Sequence, residues 1–87
     1  MVKGKVTITN KSGLHARPAS VFVKETLKYK SAINITVNGK EFNAKSILGV
    51  LAACVKTGTE IEITCTGEDE NEALAGMSTV VESGLGE

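Results

Sequence analysis

The sequence predicts an α+β fold in which four antiparallel strands form one sheet and three helices cover one of its faces. Four short segments alternate apolar and polar residues with the period of two of a half-buried strand. Three others place apolar residues at the spacing of one helix face. Their order over the 87 residues is β-α-β-β-α-β-α. One-sided strands need a cover for their apolar face, so we expect an open-faced two-layer β-sandwich forming a single domain over residues 1–87.

The strands are predicted from their inward-facing apolar residues. These are Val2, Val6 and Ile8 in the first strand, Ile33, Ile35 and Val37 in the second, and Ile61, Ile63 and Cys65 in the fourth. The dipeptide Asn38-Gly39 suits the positive backbone angles of a two-residue hairpin turn. Residues 40–43 are therefore the short return strand, and the Cys65 side chain is expected to point inward as a small hydrophobe.

The helices are predicted from apolar residues three and four positions apart. These are Ala19, Phe22, Val23, Thr26 and Leu27 in the first, Ile47, Val50 and Leu51 in the second, and Leu74, Met77, Val80 and Val81 in the third. Ser46 is expected to cap the second helix. Asp69 and Glu72 form a capping-box pattern that starts the third.

Charge is unevenly distributed along the chain although the formal net charge is zero. All ten basic residues lie at or before Lys56, and eight of the ten acidic ones lie at or after Glu60. If the basic residues cluster in space, they form a surface for a phosphate or an acidic partner; otherwise they are ordinary solvated surface. The acidic residues at positions 68–72 are better explained by a favourable interaction with the positive end of the third helix dipole than by an acidic binding site.

The cellular compartment is predicted from apolar runs and cysteine spacing. Neither end carries a long apolar stretch, so no secretory signal and no membrane insertion are expected. Cys54 and Cys65 lack the close spacing of a redox or zinc site. Reduced thiols, no metal and a cytoplasmic location are therefore expected.

The most informative segment is GLHARPA, residues 13–19, in which the only histidine precedes the first predicted helix. Pro18 loses no hydrogen bond there, because first-turn amides have no intrahelical partner. Free N–H groups near His15 favour an anion, and the Arg17 guanidinium can hold two phosphate oxygens. A neutral imidazole is a competent nucleophile at neutral pH. Phosphorylation of His15 is thus chemically sensible, although a lone histidine at a helix start is more often a cap or a surface residue.

This segment, followed about thirty residues on by KSILGV (residues 45–50), resembles the two signature sites of the HPr family of phosphocarriers in order and spacing. Chain length and element order agree, so the resemblance covers essentially the whole chain. It implies that His15 accepts a phosphoryl group on Nδ1 from Enzyme I and donates it to sugar-specific IIA domains of the phosphotransferase system. It also implies that Arg17 and the backbone amides of Ala16 and Arg17 stabilise the phosphate. A carrier of this kind is not itself an enzyme and needs no cofactor.

The resemblance assigns further roles around Ser46. In the family this position is phosphorylated by HPr kinase/phosphorylase, and the product binds the repressor CcpA in carbon catabolite repression. Capping and regulation are compatible roles for Ser46. Ile47, Leu48 and Leu51 match the family's exposed docking patch, with Lys24 as a further partner-binding residue, although periodicity alone would bury at least one of the apolar three.

Two positions depart from the family pattern. Cys54 stands where glycine commonly follows the second helix, and Ala44 stands where a larger aliphatic residue is usual. Glycine there would end the helix in the left-handed conformation. Cys54 therefore implies either a different helix end or a mildly strained one.

Three other functions are considered beside that of a carrier in the sugar phosphotransferase system. A regulation-only relative would lack the histidine, so His15 argues against it. A nucleic-acid-binding domain would need stacking aromatics or a GxxG clamp, but the chain has only three aromatic residues and no GxxG. A paralogue serving a nitrogen- or polyol-related system would share His15 and differ mainly in partners. We expect a monomer that binds no nucleic acid.

Overall fold

The computed structural model describes all 87 residues and contains the seven predicted elements in the predicted order. The strands are β1 (Val2–Thr7), β2 (Ala32–Val37), β3 (Lys40–Asn43) and β4 (Glu60–Thr66), and the helices are α1 (Ala16–Thr26), α2 (Ile47–Ala52) and α3 (Glu70–Glu82). The strands form one antiparallel sheet in the order β1-β4-β2-β3. None of the three helices is long and apolar enough to cross a membrane. The predicted fold class is confirmed.

The β2–β3 hairpin turns at the predicted dipeptide. Asn38 and Gly39 have φ angles of 52° and 79°, and Val37 pairs with Lys40 across the turn. Two successive positive φ angles match the twist of the flanking strands, which explains why this turn favours asparagine and glycine. The turn therefore sets the register of the hairpin.

The core lies between the sheet and the helices. The predicted inward residues of β2 and β4 are at most 5% exposed, and Phe22, Met77 and Val81 from α1 and α3 are fully buried. Burial of one such side chain stabilises the fold by about 1.5–3 kcal/mol. Cys65 is among these residues, as predicted, and burial raises the pKa of its thiol. The core thus holds α1 and α3 against one face of the sheet.

Two predicted helix faces differ from the structure. Leu27 is 63% exposed rather than part of the α1 face. Helix α1 ends at Thr26 with Leu27 as its C-cap, so the spacing that placed Leu27 on the buried face stops one residue early. In α3 the small residue Ala73 is fully buried, whereas Leu74 and Val80 are only partly buried.

The capping box predicted for α3 is wrong. Asp69 is the N-cap residue, but its side chain makes no capping hydrogen bond. Its carboxylate instead accepts hydrogen bonds from the backbone amides of Lys30 and Ser31 and from the Ser31 hydroxyl. The Glu70 carboxylate accepts from the Gly67 amide at 3.1 Å. These two acids therefore tether loops, and Asp69 joins the start of α3 to the segment that enters β2.

We expect the Asp69 tether to make the fold sensitive to acid. The hydrogen bond from Ser31 and then that from the Lys30 amide lower the pKa of Asp69 from 3.8 to about 2. A carboxyl group with a lowered pKa in the folded state stabilises the fold above its unfolded pKa, and this contribution is lost as pH falls through the folded pKa. Asp69→Asn should therefore lower stability at neutral pH and flatten its decline between about pH 4 and pH 2, measured by urea unfolding.

Glu68→Gln is the matched control for this prediction, because Glu68 is exposed beside Asp69. Its pH profile should follow that of the unmodified chain. Glu70 and Glu87, whose pKa values are also lowered by hydrogen bonds, leave a residual slope in every variant. An Asp69→Asn profile as steep as that of the unmodified chain contradicts the assignment.

The basic residues do not form a single surface. Lys3 and Lys5 alternate with the inward residues of β1 and lie on the open face of the sheet. Arg17 and Lys24 are exposed on α1, which packs on the other face. Because Lys3 and Lys5 lie on the face opposite α1, the excess of basic residues in the first part of the sequence overstates the positive charge near the histidine.

Candidate functional site

His15 lies at the start of α1, and its side chain does not cap the helix. It is the N-cap residue, with φ −139° and ψ 151°, and it makes no side-chain capping hydrogen bond. The imidazole is exposed. The structure therefore excludes the ordinary alternative of a capping histidine and leaves the ring nitrogens available to a ligand.

The residue after His15 adopts a rare backbone conformation. Ala16 has a φ of 50°, in the left-handed region that residues other than glycine seldom enter. Such a conformation costs on the order of 1–3 kcal/mol and persists only where the surrounding structure holds it. Left-handed and right-handed residues in succession direct their N–H groups toward one concave, anion-binding surface. The amides of Ala16 and Arg17, which lack intrahelical acceptors, are therefore suited to an anion beside His15.

The first turn of α1 is electropositive. It contains no acidic residue, and neither of the two ion pairs in the structure involves Arg17. The Arg17 side chain is exposed, and the following residue, Pro18, is buried and so anchors the turn. Guanidinium, helix dipole and free amides all favour a dianionic group at this point.

A cleft of about 270 Å³ adjoins His15. Its lining residues come from the loop before α1 and from the end of α2 and beyond, and they are Ser12, Leu14, His15, Leu51, Cys54, Val55 and Lys56. The sequence predicted a site at His15 but not the contribution of Cys54 and Lys56. No local pattern could have revealed it, because some forty residues separate these side chains from His15.

The end of α2 resolves the alternatives left open for Cys54. Ala53 is the C-cap residue in a right-handed conformation, and Cys54 follows with a φ of 52°. The helix thus ends in the left-handed conformation usual for glycine, but with a side chain present. That side chain is exposed and lies in the cleft beside His15. The second departure, Ala44, is fully buried in the core.

Ser46 caps α2, as predicted. It has an extended backbone, and its Oγ accepts a hydrogen bond from the Gly49 amide at 3.1 Å. A Cβ atom on Gly49 would lie 2.8 Å from the Asn43 carbonyl oxygen, so this position is restricted to glycine. The hydroxyl is half-buried, and its own proton makes no hydrogen bond to the protein.

The predicted docking residues divide into two groups. Leu48 and Ile47 are 75% and 40% exposed, and Lys24 is exposed on α1. Leu51 is instead half-buried and lines the cleft beside His15. Helix α2 thus carries Ser46 at its start and a side chain of the His15 cleft near its end.

Comparison with known sequences identifies the family. Residues 2–83 match the family model PTS-HPr, described as the PTS HPr component phosphorylation site. Phosphocarrier protein HPr from Mycoplasma capricolum is 46% identical over 86 residues, which cover 98% of this chain and 97% of that protein. The HPr-like protein Crh from Bacillus subtilis is 44% identical over 82 residues, covering 94% of this chain and 96% of Crh.

Solved structures agree with this match. The crystal structure of HPr-C-His from Thermoanaerobacter tengcongensis superimposes with a TM-score of 0.97 at 39% identity, covering 100% of this chain and 98% of that one. A crystal structure of Bacillus subtilis Crh, a domain-swapped dimer, superimposes with a TM-score of 0.77 at 43% identity and covers 95% of both chains. Sequence and fold agree over the full length, and the chain belongs to the HPr family of phosphocarrier proteins.

Proposed function

We propose that this chain carries phosphoryl groups in a sugar phosphotransferase system, accepting them from phospho-Enzyme I on His15 and passing them to sugar-specific IIA domains. The observation that carries the proposal is the uncommitted, exposed imidazole at the start of α1 beside the unpaired Arg17. Membership of the HPr family supports it.

The transfer step needs no separate base. In the neutral imidazole, the Nδ1 lone pair attacks phosphorus while Nε2 keeps its proton. The N–P bond to the donor histidine breaks, and its electron pair returns to that ring. Charge on the three transferring oxygens is stabilised by the Arg17 guanidinium and the amides of Ala16 and Arg17. Because both end states contain an N–P bond, the same arrangement serves acceptance and donation.

A second candidate is a regulatory paralogue that acts mainly through Ser46. The similarity to Crh, an HPr-like protein, favours it. The presence of His15 in an electropositive turn favours the carrier. A nitrogen- or polyol-related carrier would share this turn, so the identity of the accepting IIA domain distinguishes the systems.

The test is incubation with Enzyme I and phosphoenolpyruvate, followed by intact mass measurement before and after mild acid. We expect one phosphoryl group that acid removes, because phosphohistidine is acid-labile and phosphoserine is not. Subsequent transfer to a sugar-type IIA domain, but not to a nitrogen-type one, supports the sugar system. A chain that gains no acid-labile group contradicts the proposal, and an acid-stable group added only by ATP and HPr kinase/phosphorylase favours the regulatory paralogue.

Arg17→Lys should slow phosphorylation of His15 about tenfold while changing stability by less than about 0.5 kcal/mol. Lysine keeps the charge but replaces a planar, two-point clamp with a single ammonium group. Transfer reactions with Enzyme I that are quenched at successive times measure the rate, and urea unfolding measures stability. Lys5→Arg, on the open face of the sheet, is the control and should leave both unchanged. Equal transfer rates for Arg17→Lys and the unmodified chain would refute the clamp.

We propose that Ser46 is a regulatory phosphorylation site whose product binds the catabolite-control repressor CcpA. A phosphate at this position adds about −1.5 to −2 charges at the start of α2, where the helix dipole favours negative charge. It also adjoins the exposed Ile47 and Leu48 side chains. Inhibition of His15 phosphorylation should therefore arise from weaker docking and not from a melted helix.

Ser46→Asp distinguishes weaker docking from a melted helix. Aspartate is itself a good N-cap, so the melting temperature should stay the same or rise. Phosphorylation of His15 should slow about threefold to tenfold at low salt and less at high salt, because screening weakens a charge at the edge of an interface. Ser46→Ala is the control, since it removes the cap without adding charge. A large fall in melting temperature for Ser46→Asp implicates helix disruption, and rates equal to those of the unmodified chain at every salt concentration contradict a charge effect.

We further propose that the chain acts as a monomer in the cytoplasm. The Crh structure shows that a relative with 43% identity forms a swapped dimer, and the mass in solution distinguishes that state from a monomer. Light scattering at micromolar concentration should report a mass near 9.1 kDa, and a mass twice that value contradicts the monomer.

A further inference from the structure

The C-terminal tail turns back toward the loop that precedes His15. Helix α3 ends at Glu82, and Gly84, Leu85 and Gly86 then have φ angles of 91°, 53° and 83°. Leu85 is fully buried and so anchors the tail in the core. The Glu87 amide donates to the Gly84 carbonyl oxygen at 3.0 Å. This turn places the Glu87 side chain beside Asn10 and Ser12.

The Glu87 carboxylate binds three donors of that loop. Its Oε1 accepts from the Ser12 amide and from Asn10 Nδ2, both at 2.9 Å, and its Oε2 accepts from the Ser12 hydroxyl at 2.8 Å. These bonds, that of Asn10 first, lower the pKa of Glu87. Both carboxylate oxygens thus accept hydrogen bonds. The two residues that donate them, Asn10 and Ser12, lie more than seventy residues earlier in the chain.

Asn10 shows how strongly this contact orients the loop. The residue is 5% exposed, and its Nδ2 donates both to Glu87 and to the Gly13 carbonyl oxygen, the latter at 2.9 Å. Its Oδ1 is buried with no protein partner. Reversing the amide would place that oxygen against two acceptors. The carboxylate and the Gly13 carbonyl therefore together determine the orientation of Asn10.

The loop held by Glu87, residues 10–14, immediately precedes His15 in the chain. Ser12 and His15 line the same cleft, and the Leu14 amide between them donates to the Val55 carbonyl oxygen at 3.0 Å. On the basis of the proposed carrier function, we propose that Glu87 is a positioning residue. Its side-chain carboxylate holds residues 10–14 and thereby places the His15 imidazole for phosphoryl transfer.

Glu87→Gln tests the positioning role, with Glu82→Gln on the exposed surface of α3 as the control. Glutamine presents an NH₂ group to donors that the carboxylate accepts. At saturating phospho-Enzyme I, the single-turnover rate of His15 phosphorylation should fall about fivefold to tenfold. The concentration for half-saturation should change less than twofold, because the α1 and α2 surfaces are untouched. Ser12→Ala should slow the unmodified chain but add little to Glu87→Gln.

A second measurement needs no partner protein. Amide hydrogen exchange at Ser12 should accelerate in Glu87→Gln and stay unchanged in Glu82→Gln. A Glu87→Gln chain that is phosphorylated as fast as the unmodified chain overturns the inference, as does a rate and a half-saturation concentration that worsen together. If even the unmodified chain accepts no phosphoryl group, the carrier function itself fails, and unchanged exchange at Ser12 separately shows that Glu87 does not order the loop.

Discussion

We expect His15→Ala to abolish labelling by Enzyme I and phosphoenolpyruvate and to leave the fold intact. The imidazole is exposed and caps no helix amide, so its removal breaks no hydrogen bond of the folded chain. Stability should change by less than about 0.5 kcal/mol. Intact mass after incubation measures labelling, and urea unfolding of the same sample measures stability.

A variant with altered charge outside the first turn of α1 is the control for this experiment. Lys28 lies just beyond the end of α1 and forms an ion pair with Glu25 of that helix at 3.0 Å, which Lys28→Ala removes. This variant should remain labelled to completion. Acid-labile phosphate on His15→Ala would place the acceptor on another residue and overturn the proposed function.

Gly13→Ala should destabilise the chain by about 2–4 kcal/mol, since it combines left-handed strain with a steric clash. Gly13 has a φ of 65°, and a Cβ atom there would overlap the Val55 carbonyl oxygen and lie 2.9 Å from Lys56 Cα. Backbone atoms cannot swing aside as a side chain can. The same shift displaces the Leu14 amide from Val55 and moves His15, so we also expect transfer to slow at least tenfold.

Gly39→Ala separates the two causes. Gly39 has a similar φ of 79°, but no atom lies within 4 Å of the position of the added Cβ. This variant should therefore show only the strain of about 1–2 kcal/mol and transfer phosphate normally. Urea unfolding and the rate of His15 phosphorylation provide both comparisons. Equal destabilisation of the two variants would show that Val55 and Lys56 yield to the new side chain.

Patterns that act over a few residues predicted most of the fold. Alternation located the strands, and Asn38-Gly39 located the hairpin, because the backbone angles of a two-residue turn depend only on neighbouring atoms. The Ser46 cap was equally predictable, since its acceptor and the Gly49 donor are three residues apart. Leu27 was mispredicted because periodicity does not show where a helix stops.

The site was predictable only in part. His15 and Arg17 were singled out because a histidine, an arginine and a proline at a helix start form a local arrangement suited to an anion. Asp69 misled the prediction, because a capping signal does not exclude a donor elsewhere that competes for the carboxylate. Its donors, Lys30 and Ser31, lie nearly forty residues earlier in the chain.

By itself, the sequence determined the order of the elements, the hairpin turn, the cap of α2 and the candidate phosphate acceptor. Only the tertiary structure decided that Cys54 and Lys56 line the cleft beside His15 and that Glu87 holds the loop in front of it. The physical reason is the range of the interactions. Backbone angles and helix caps depend on nearby residues, whereas a cleft or a clamp depends on how the core packs elements that are distant in sequence.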